Sequence, residues 1–260
     1  MVGYLKKLYQ YRELLWVWTL RNIQVRYKQS LLGGLWAVLQ PLSLMIAFSV
    51  IFTQLVKVST DGTPYPVFAY TALLPWTFFA VSITFGITSL TSNLNLVTKI
   101  SFPREILPLA SIGAAFVDLL VGSTVFIGML LYYGIPIRNT VWVLPILLLV
   151  QILLTIGIVL FSSAVNVFYH DVQYVVPLAI QLLMYATPVI YPASQVPIRW
   201  RGIYMLNPMA TLIESYRAVI LQGRWPEWQS LLIASIISLA IFMAGYLYFK
   251  NEEWQFADII

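Results

Sequence analysis

Residues 141–161, "VWVLPILLLVQILLTIGIVLF", run for 21 positions without one charged side chain. A helix built from them is apolar on every side, so it has no face to offer to water. Crossing the hydrocarbon core as a helix takes about 20 mainly apolar residues, because each residue rises about 1.5 Å through about 30 Å of lipid. Stretches of that length occur six times, at about 34–56, 67–92, 106–133, 141–167, 174–191 and 229–249. A transmembrane barrel needs alternating segments of about ten residues instead. Composition agrees with helices in lipid: 60% of the chain is hydrophobic and 10% charged, where a soluble domain has roughly half and a quarter. The expectation is an all-α integral membrane protein, with an interfacial amphipathic segment at 1–33, a six-helix transmembrane domain at 34–260, and no soluble domain.

Six of the fifteen basic residues, Lys6, Lys7, Arg12, Arg21, Arg26 and Lys28, precede the first span. The net charge of +5 therefore fits the positive-inside rule better than a nucleic-acid partner. With a cytoplasmic N-terminus and six spans, nine Lys and Arg fall inside and six outside, four of those six in the single long connection 192–228. Both termini are expected in the cytoplasm. No cleaved leader is expected, since the mixed cationic and aromatic start lacks a small-residue cleavage site. The chain has no cysteine, so disulfides and thiolate chemistry are absent.

The opening segment carries a stripe of Tyr4, Leu8, Tyr11, Leu15 and Trp18, with Lys6, Gln10, Glu13, Arg21, Gln24 and Lys28 mostly on the other side. Such a helix lies in the membrane interface, aromatics down and cations toward lipid phosphates. It is either an anchor or a gate at which Trp18, Arg21, Arg26, Tyr27 and Lys28 act on the substrate's path. Gly33 and Gly34 supply a corner into the first span. The connection 192–228 is too polar to span and too patterned to be shapeless. Asn207 is a helix cap with Pro208 in the first turn, Glu214 and Arg217 form an i, i+3 pair, and Gly223 is a C-terminal stop.

The chemistry of an embedded enzyme is missing. There is one histidine, ten carboxylates scattered mostly at the membrane faces, no Gly-Lys pair to cradle ATP phosphates, and no metal-ligand cluster. Asp118, about 18 Å into the third span at 1.5 Å per residue, is the one acid at mid-membrane depth. It is held by a neighbouring helix, through Asn166, Gln40 or Gln151, or it lies on a transport pathway. Gly113, Ala114, Gly122 and Gly128 along the same span permit close helix approach.

The stretch "NLNLVTKISFPREILPL", 93–109, is cytoplasmic in this topology. A plain inside loop needs the charges but not Leu96, Val97, Ile100 and Phe102. Those point to a short amphipathic helix, ended near Phe102 because the residue before Pro103 disfavours the helical region. Its apolar face is either a docking surface or part of an ordinary positively charged loop.

Four blocks, "RYKQSLLGGLWAVLQPL" (26–42), "NLNLVTKISFPREILPL" (93–109), "FYHDVQYVVPLAIQLLMYATPVIYP" (168–192) and "LNPMATLIESYRAVILQG" (206–223), together resemble the membrane subunit of an ABC exporter. The resemblance is to the permeases that export O-antigen, capsule and teichoic acid, and it covers nearly the whole chain. It implies that 93–105 is a coupling helix, with Leu96, Val97, Lys99, Phe102, Pro103, Arg104 and Glu105 facing a separate ATP-hydrolysing subunit. Tyr169, His170 and Asp171 would be a second contact, with His170 where family members often have Arg. It further implies a homodimer with two ATPase subunits, which bind the ATP and Mg. A lipid-linked glycan would pass along the dimer interface in the bacterial inner membrane. Aromatic rings suit sugar CH faces, and Tyr185, Tyr191, Trp200, Tyr204 and Tyr216 gather near the outer half of span five and the loop beyond. The bland reading of these rings is an interfacial aromatic belt. The alternatives to glycan export are a drug or lipid exporter permease and an ion-coupled carrier.

Overall fold

The computed structural model describes residues 10–28, 30–55, 60, 62–99 and 102–256. Among them every regular element is helical: α1 (Arg12–Tyr27), α2 (Trp36–Val50), α3 (Tyr65–Ile87), α4 (Leu94–Lys99), α5 (Ile106–Tyr132), α6 (Leu144–Phe168), α7 (Val172–Tyr185), α8 (Ile198–Tyr204), α9 (Pro208–Arg217) and α10 (Trp228–Glu252). Among the described residues five helical stretches are long and apolar enough to cross a membrane: Gly33–Thr53, Tyr65–Ile87, Ile106–Tyr132, Asn139–Phe168 and Trp228–Gln255.

The expected span at 174–191 differs. Its helix, α7, has 14 residues, about 21 Å at 1.5 Å per residue and short of the about 30 Å of a hydrocarbon core. The local sequence gives the reason. Thr187 precedes Pro188, which disfavours helix at Thr187, and the chain turns at Ala186 and runs on without helix to Pro192.

Helix α3 is the centre of the bundle and packs against α2, α5, α6, α7 and α9. Its Tyr65, Phe68, Tyr70, Trp76, Phe78 and Phe79 are all buried. Lipid tails are as apolar as these side chains, so their stabilisation comes from dispersion and close backbone approach more than from leaving water. The closest approach joins α6 and α10. A Cβ added at Gly157 would lie 2.6 Å from the Cα of Phe242, and one added at Gly245 would overlap the Gly157 carbonyl. On α5, Gly113 sits under Thr19 of α1 and Gly122 under Leu74 of α3, whereas Gly128 faces open space.

Two apolar cores result. The larger surrounds α3. The smaller gathers Trp18, Val97, Ile106, Leu107, Phe249 and Phe256 at the end of the bundle that carries α4. The stripe expected to face lipid therefore faces protein: Trp18 is buried and Tyr11, Leu14 and Leu15 pack on the smaller core. Helix α1 packs along α5, and Gly33 turns the chain with φ of 51°. The beginning of the stripe, Tyr4 and Leu8, lies outside the described residues, as do Lys6 and Lys7.

Within the long connection, the Asn207 side chain accepts from the Met209 N–H to cap α9. Arg217 pairs with Glu214 at 2.8 Å, and Gly223 ends the helical run in the left-handed region at φ 63°. Arg217 is 1% exposed. Its guanidinium donates to the carbonyls of Pro188 at 2.5 Å and Val189 at 2.7 Å and lies 3.6 Å from the Phe68 ring centre. The turn after α7 is thus fastened to α9 and α3, and the Tyr65 hydroxyl donates to the Ile190 carbonyl at 2.8 Å.

Candidate functional site

Helix α4 is short, and its faces divide unevenly. Val97 is 1% exposed, and Leu96 and Phe102 pack partly buried on the smaller core. This corrects the expectation that these three form an outward docking face. Amphipathicity shows that a face is buried but not against what, and here the bundle itself takes it. Leu94, Asn95 and Thr98 are the exposed positions. Ile100 and the Lys99 side chain lie outside the described residues.

The charges that follow are also turned inward. Glu105, expected to face a partner, is 1% exposed, and its carboxylate oxygens accept from Lys250 Nζ at 3.0 and 2.9 Å. Lys250 also donates to Glu253 at 2.7 Å. The Arg104 N–H donates to the Glu253 carboxylate at 3.2 Å, and its guanidinium donates to the Glu253 carbonyl. Pro103 is half-buried. The segment 102–105 is therefore bound to the end of α10. A Lys-x-x-Glu pair closing a span is visible in sequence, but its partner lies 145 residues away and leaves no periodic signal.

Tyr169, His170 and Asp171 are exposed together in the turn between α6 and α7. Fully buried Asn166 joins this turn to the α3–α4 connection: its amide donates to Thr91 Oγ1 at 3.3 Å and its carbonyl oxygen accepts from the Gln173 N–H at 3.1 Å. Arg21 adds a third strut by donating to Asn93 at 2.9 Å. One end of the bundle thus presents the outer face of α4 and the 169–171 turn on a common frame.

Asp118 is held by a neighbouring helix, though not by any of the three residues expected. Arg26 pairs with it at 2.5 Å and the Tyr27 hydroxyl donates to it at 2.8 Å. Burial, then the hydrogen bond to Asp118, pushes the Tyr27 hydroxyl up to about 12, so it remains a donor. Arg26 also lies 4.1 Å from the Phe85 ring centre. A cavity of about 240 Å³ opens beside the pair, lined by Trp36, Gln40, Thr77 and Phe78 among others. Lys28 is exposed just beyond the end of α1.

The aromatic candidates separate into three environments. Tyr185 and Trp200 are 53% and 54% exposed. Tyr204 donates to the Tyr191 hydroxyl at 3.1 Å and Tyr191 to the Tyr185 carbonyl at 2.9 Å, a half-buried relay across the connection. Tyr216 is a correction. It is 8% exposed and donates at 3.0 Å to Gln151, whose amide donates to the Pro75 carbonyl at 2.7 Å, so it links α9, α6 and α3 within the core. Among the described residues no cluster of His, Cys, Asp and Glu could hold a metal ion.

The family pattern described as ABC-2 type transporter matches residues 13–221. The chain belongs to this family. Among relatives, it is 31% identical to the O-antigen export system permease protein RfbA of Klebsiella pneumoniae over 95% of both chains. It is 29% identical to the RfbA permease of Myxococcus xanthus over 100% of both. It is 23% identical to the polysialic acid transport protein KpsM of Escherichia coli over 90% of this chain and 91% of that one. With its five long apolar helices, this ABC-2 chain is a multi-pass protein of the inner membrane.

Proposed function

We propose that this chain is the membrane-spanning subunit of an ATP-driven exporter that moves a lipid-linked polysaccharide, of O-antigen, capsule or teichoic-acid type, across the inner membrane. The observation that carries the reading is the likeness to O-antigen export permeases along 95% to 100% of the chains compared. This sequence contains no Gly-Lys pair for a phosphate loop, so ATP and Mg would be bound by a separate ATPase subunit, in two copies by resemblance to the family. The likeness to a permease that serves polysialic acid favours a polymer over a small drug. The Arg26 pairing of Asp118 leaves the one mid-membrane acid already engaged, which disfavours an ion-coupled carrier.

Six crossings are supported by the path of α7. It starts where Asn166 meets Thr91, at one end of α3, and the turn after it reaches Tyr65 at the other. Helix α3 has 23 residues, about 35 Å at 1.5 Å per residue. A short helix plus an irregular turn covers that length, with Arg217 satisfying the turn's carbonyls as irregular backbone at membrane depth requires. Six crossings put both termini on one side, and the basic start makes that side cytoplasmic. A homodimer is supported by the outward face of α7, where Tyr174, Leu178, Gln181 and Tyr185 are exposed; Gln181 there suits a second copy or an aqueous path better than lipid. The ATPase would dock on Leu94, Asn95 and Thr98 of α4 and on Tyr169, His170 and Asp171.

The test is deletion of the gene with analysis of surface and cytoplasmic glycans, paired with affinity purification of the tagged chain. The expected result is one glycan retained inside and an ATPase subunit recovered with the chain. Unchanged surface glycan together with recovery of no ATPase overturns the reading.

A further inference from the structure

We propose that Lys250 is a positioning residue for energy coupling: with Glu253 it clamps the 102–105 segment to the end of α10, so that a displacement at α4 is delivered to the last span directly. This rests on the reading that the ATPase docks at the α4 end. The covalent path from α4 leads into α5, and Lys250 near the end of α10 is 145 residues beyond Glu105, yet four polar contacts from Lys250 and Glu253 bind the end of α10 to this segment. Lys250 Nζ reaches both oxygens of Glu105 and one of Glu253. The Arg104 N–H and guanidinium are both engaged by Glu253. The main chain of 102–105 is thus held as well as its side chains.

The clamp adjoins the smaller apolar core in sequence, through Phe249 beside Lys250 and Ile106 beside Glu105. Phe249 and Phe256 are 0% exposed, meet edge to face at 5.3 Å, and belong to the same core as Val97 and Ile106. Glu105 is 1% exposed while Lys250 keeps 26% of its side chain exposed; removing the ammonium strands a buried carboxylate, so separating the two is costly and the contact behaves as a fixed joint. Beyond the joint, α10 lies on α6 with Gly245 against the Gly157 carbonyl. At that point backbone meets backbone, and Phe161 of α6 packs on Tyr248 of α10 with ring centres 5.1 Å apart, so α10 and α6 move together. A push received at α4 therefore arrives at two spans that are remote from it in sequence.

The experiment uses the full chain reconstituted with its ATPase subunits in proteoliposomes, with ATP hydrolysis and polymer export measured in parallel. Lys250→Ala is expected to retain the ATPase subunits and to hydrolyse ATP at the wild-type rate while export falls about tenfold, the size of an ordinary coupling free energy. Lys250→Arg is expected to restore the ATP used per polymer. Wild-type ATP use per polymer in Lys250→Ala overturns the clamp while leaving docking intact, and so does an equal defect in Lys250→Arg. A wild-type chain that binds no ATPase overturns the docking reading and the clamp with it. Should Lys250→Ala not assemble, spin labels at Ser92→Cys, exposed just before α4, and Trp254→Cys in the otherwise cysteine-free chain give the second readout. Their separation stays constant between nucleotide-free and ATP-bound complexes if the joint is fixed, and a shift beyond the labels' own width overturns it.

Discussion

Arg217 is the largest fully buried side chain among the described residues, and it shows what a cation needs at such a place. Glu214 neutralises it, three carbonyls of 188–191 accept from it, and Phe68 offers a ring face. Removing it leaves a half-buried carboxylate partner and bare buried carbonyls, so Arg217→Met should cost about 3 kcal/mol. Arg217→Lys should lose less, since an ammonium keeps the charge and forfeits the fork; thermal unfolding in detergent measures both. The Arg26–Asp118 pair obeys the same rule. Asp118→Ala strands Arg26 and should destabilise strongly, and Arg26→Met in the same chain should recover most of the loss, which a double-mutant cycle reads out. Half of the Arg217 site was legible beforehand, because Glu214 stands one helical turn away. The carbonyls of 188–191 and the Arg26 partner of Asp118 were not, because contacts between 26 and 92 residues apart leave no periodicity.

Among elements, the crossing of α6 and α10 lends itself to an internal control. Replacing a mid-helix glycine by alanine gains up to about 1 kcal/mol of helix propensity. Gly128→Ala, with nothing near its new methyl, should show that gain or none. Gly245→Ala must push the Gly157 backbone aside and should lose about 1–3 kcal/mol as an overpacked site does. Opposite signs in one unfolding assay verify the crossing; equal values refute it. Helix ends were the readable part of the elements: Asn207, Pro208 and Gly223 announce their stops and starts through local chemistry. The length of α7 was less so, since an apolar run continues past the residue where Pro188 ends the helix. The apolar face of α4 was visible as a face, while its burial against Phe249 and Phe256 depends on a segment about 150 residues later.

For the molecule as a whole, the six-crossing arrangement can be read chemically because the chain has no native cysteine. Single cysteines at Tyr169, Gln195 and Asn251, all exposed, should react with a membrane-impermeant maleimide in two classes. Tyr169→Cys and Asn251→Cys should be reached from the cytoplasmic side of inverted vesicles and Gln195→Cys from the outside of intact cells. Labelling of Tyr169→Cys and Gln195→Cys from one side would show that α7 enters and returns. Membrane character and helical class were legible from the apolar runs alone, whereas the division into two cores depends on which distant ends meet. That meeting has a bearing on how the protein is made. While the last span is still in the ribosomal tunnel, Glu105 lies beside Ile106 and Leu107 without Lys250, and Gly157 has no Gly245 to cover its carbonyl. A chain arrested before residue 228 is thus marked as unfinished by a bare carboxylate and an open groove. Synthesis of α10 removes both marks in one step.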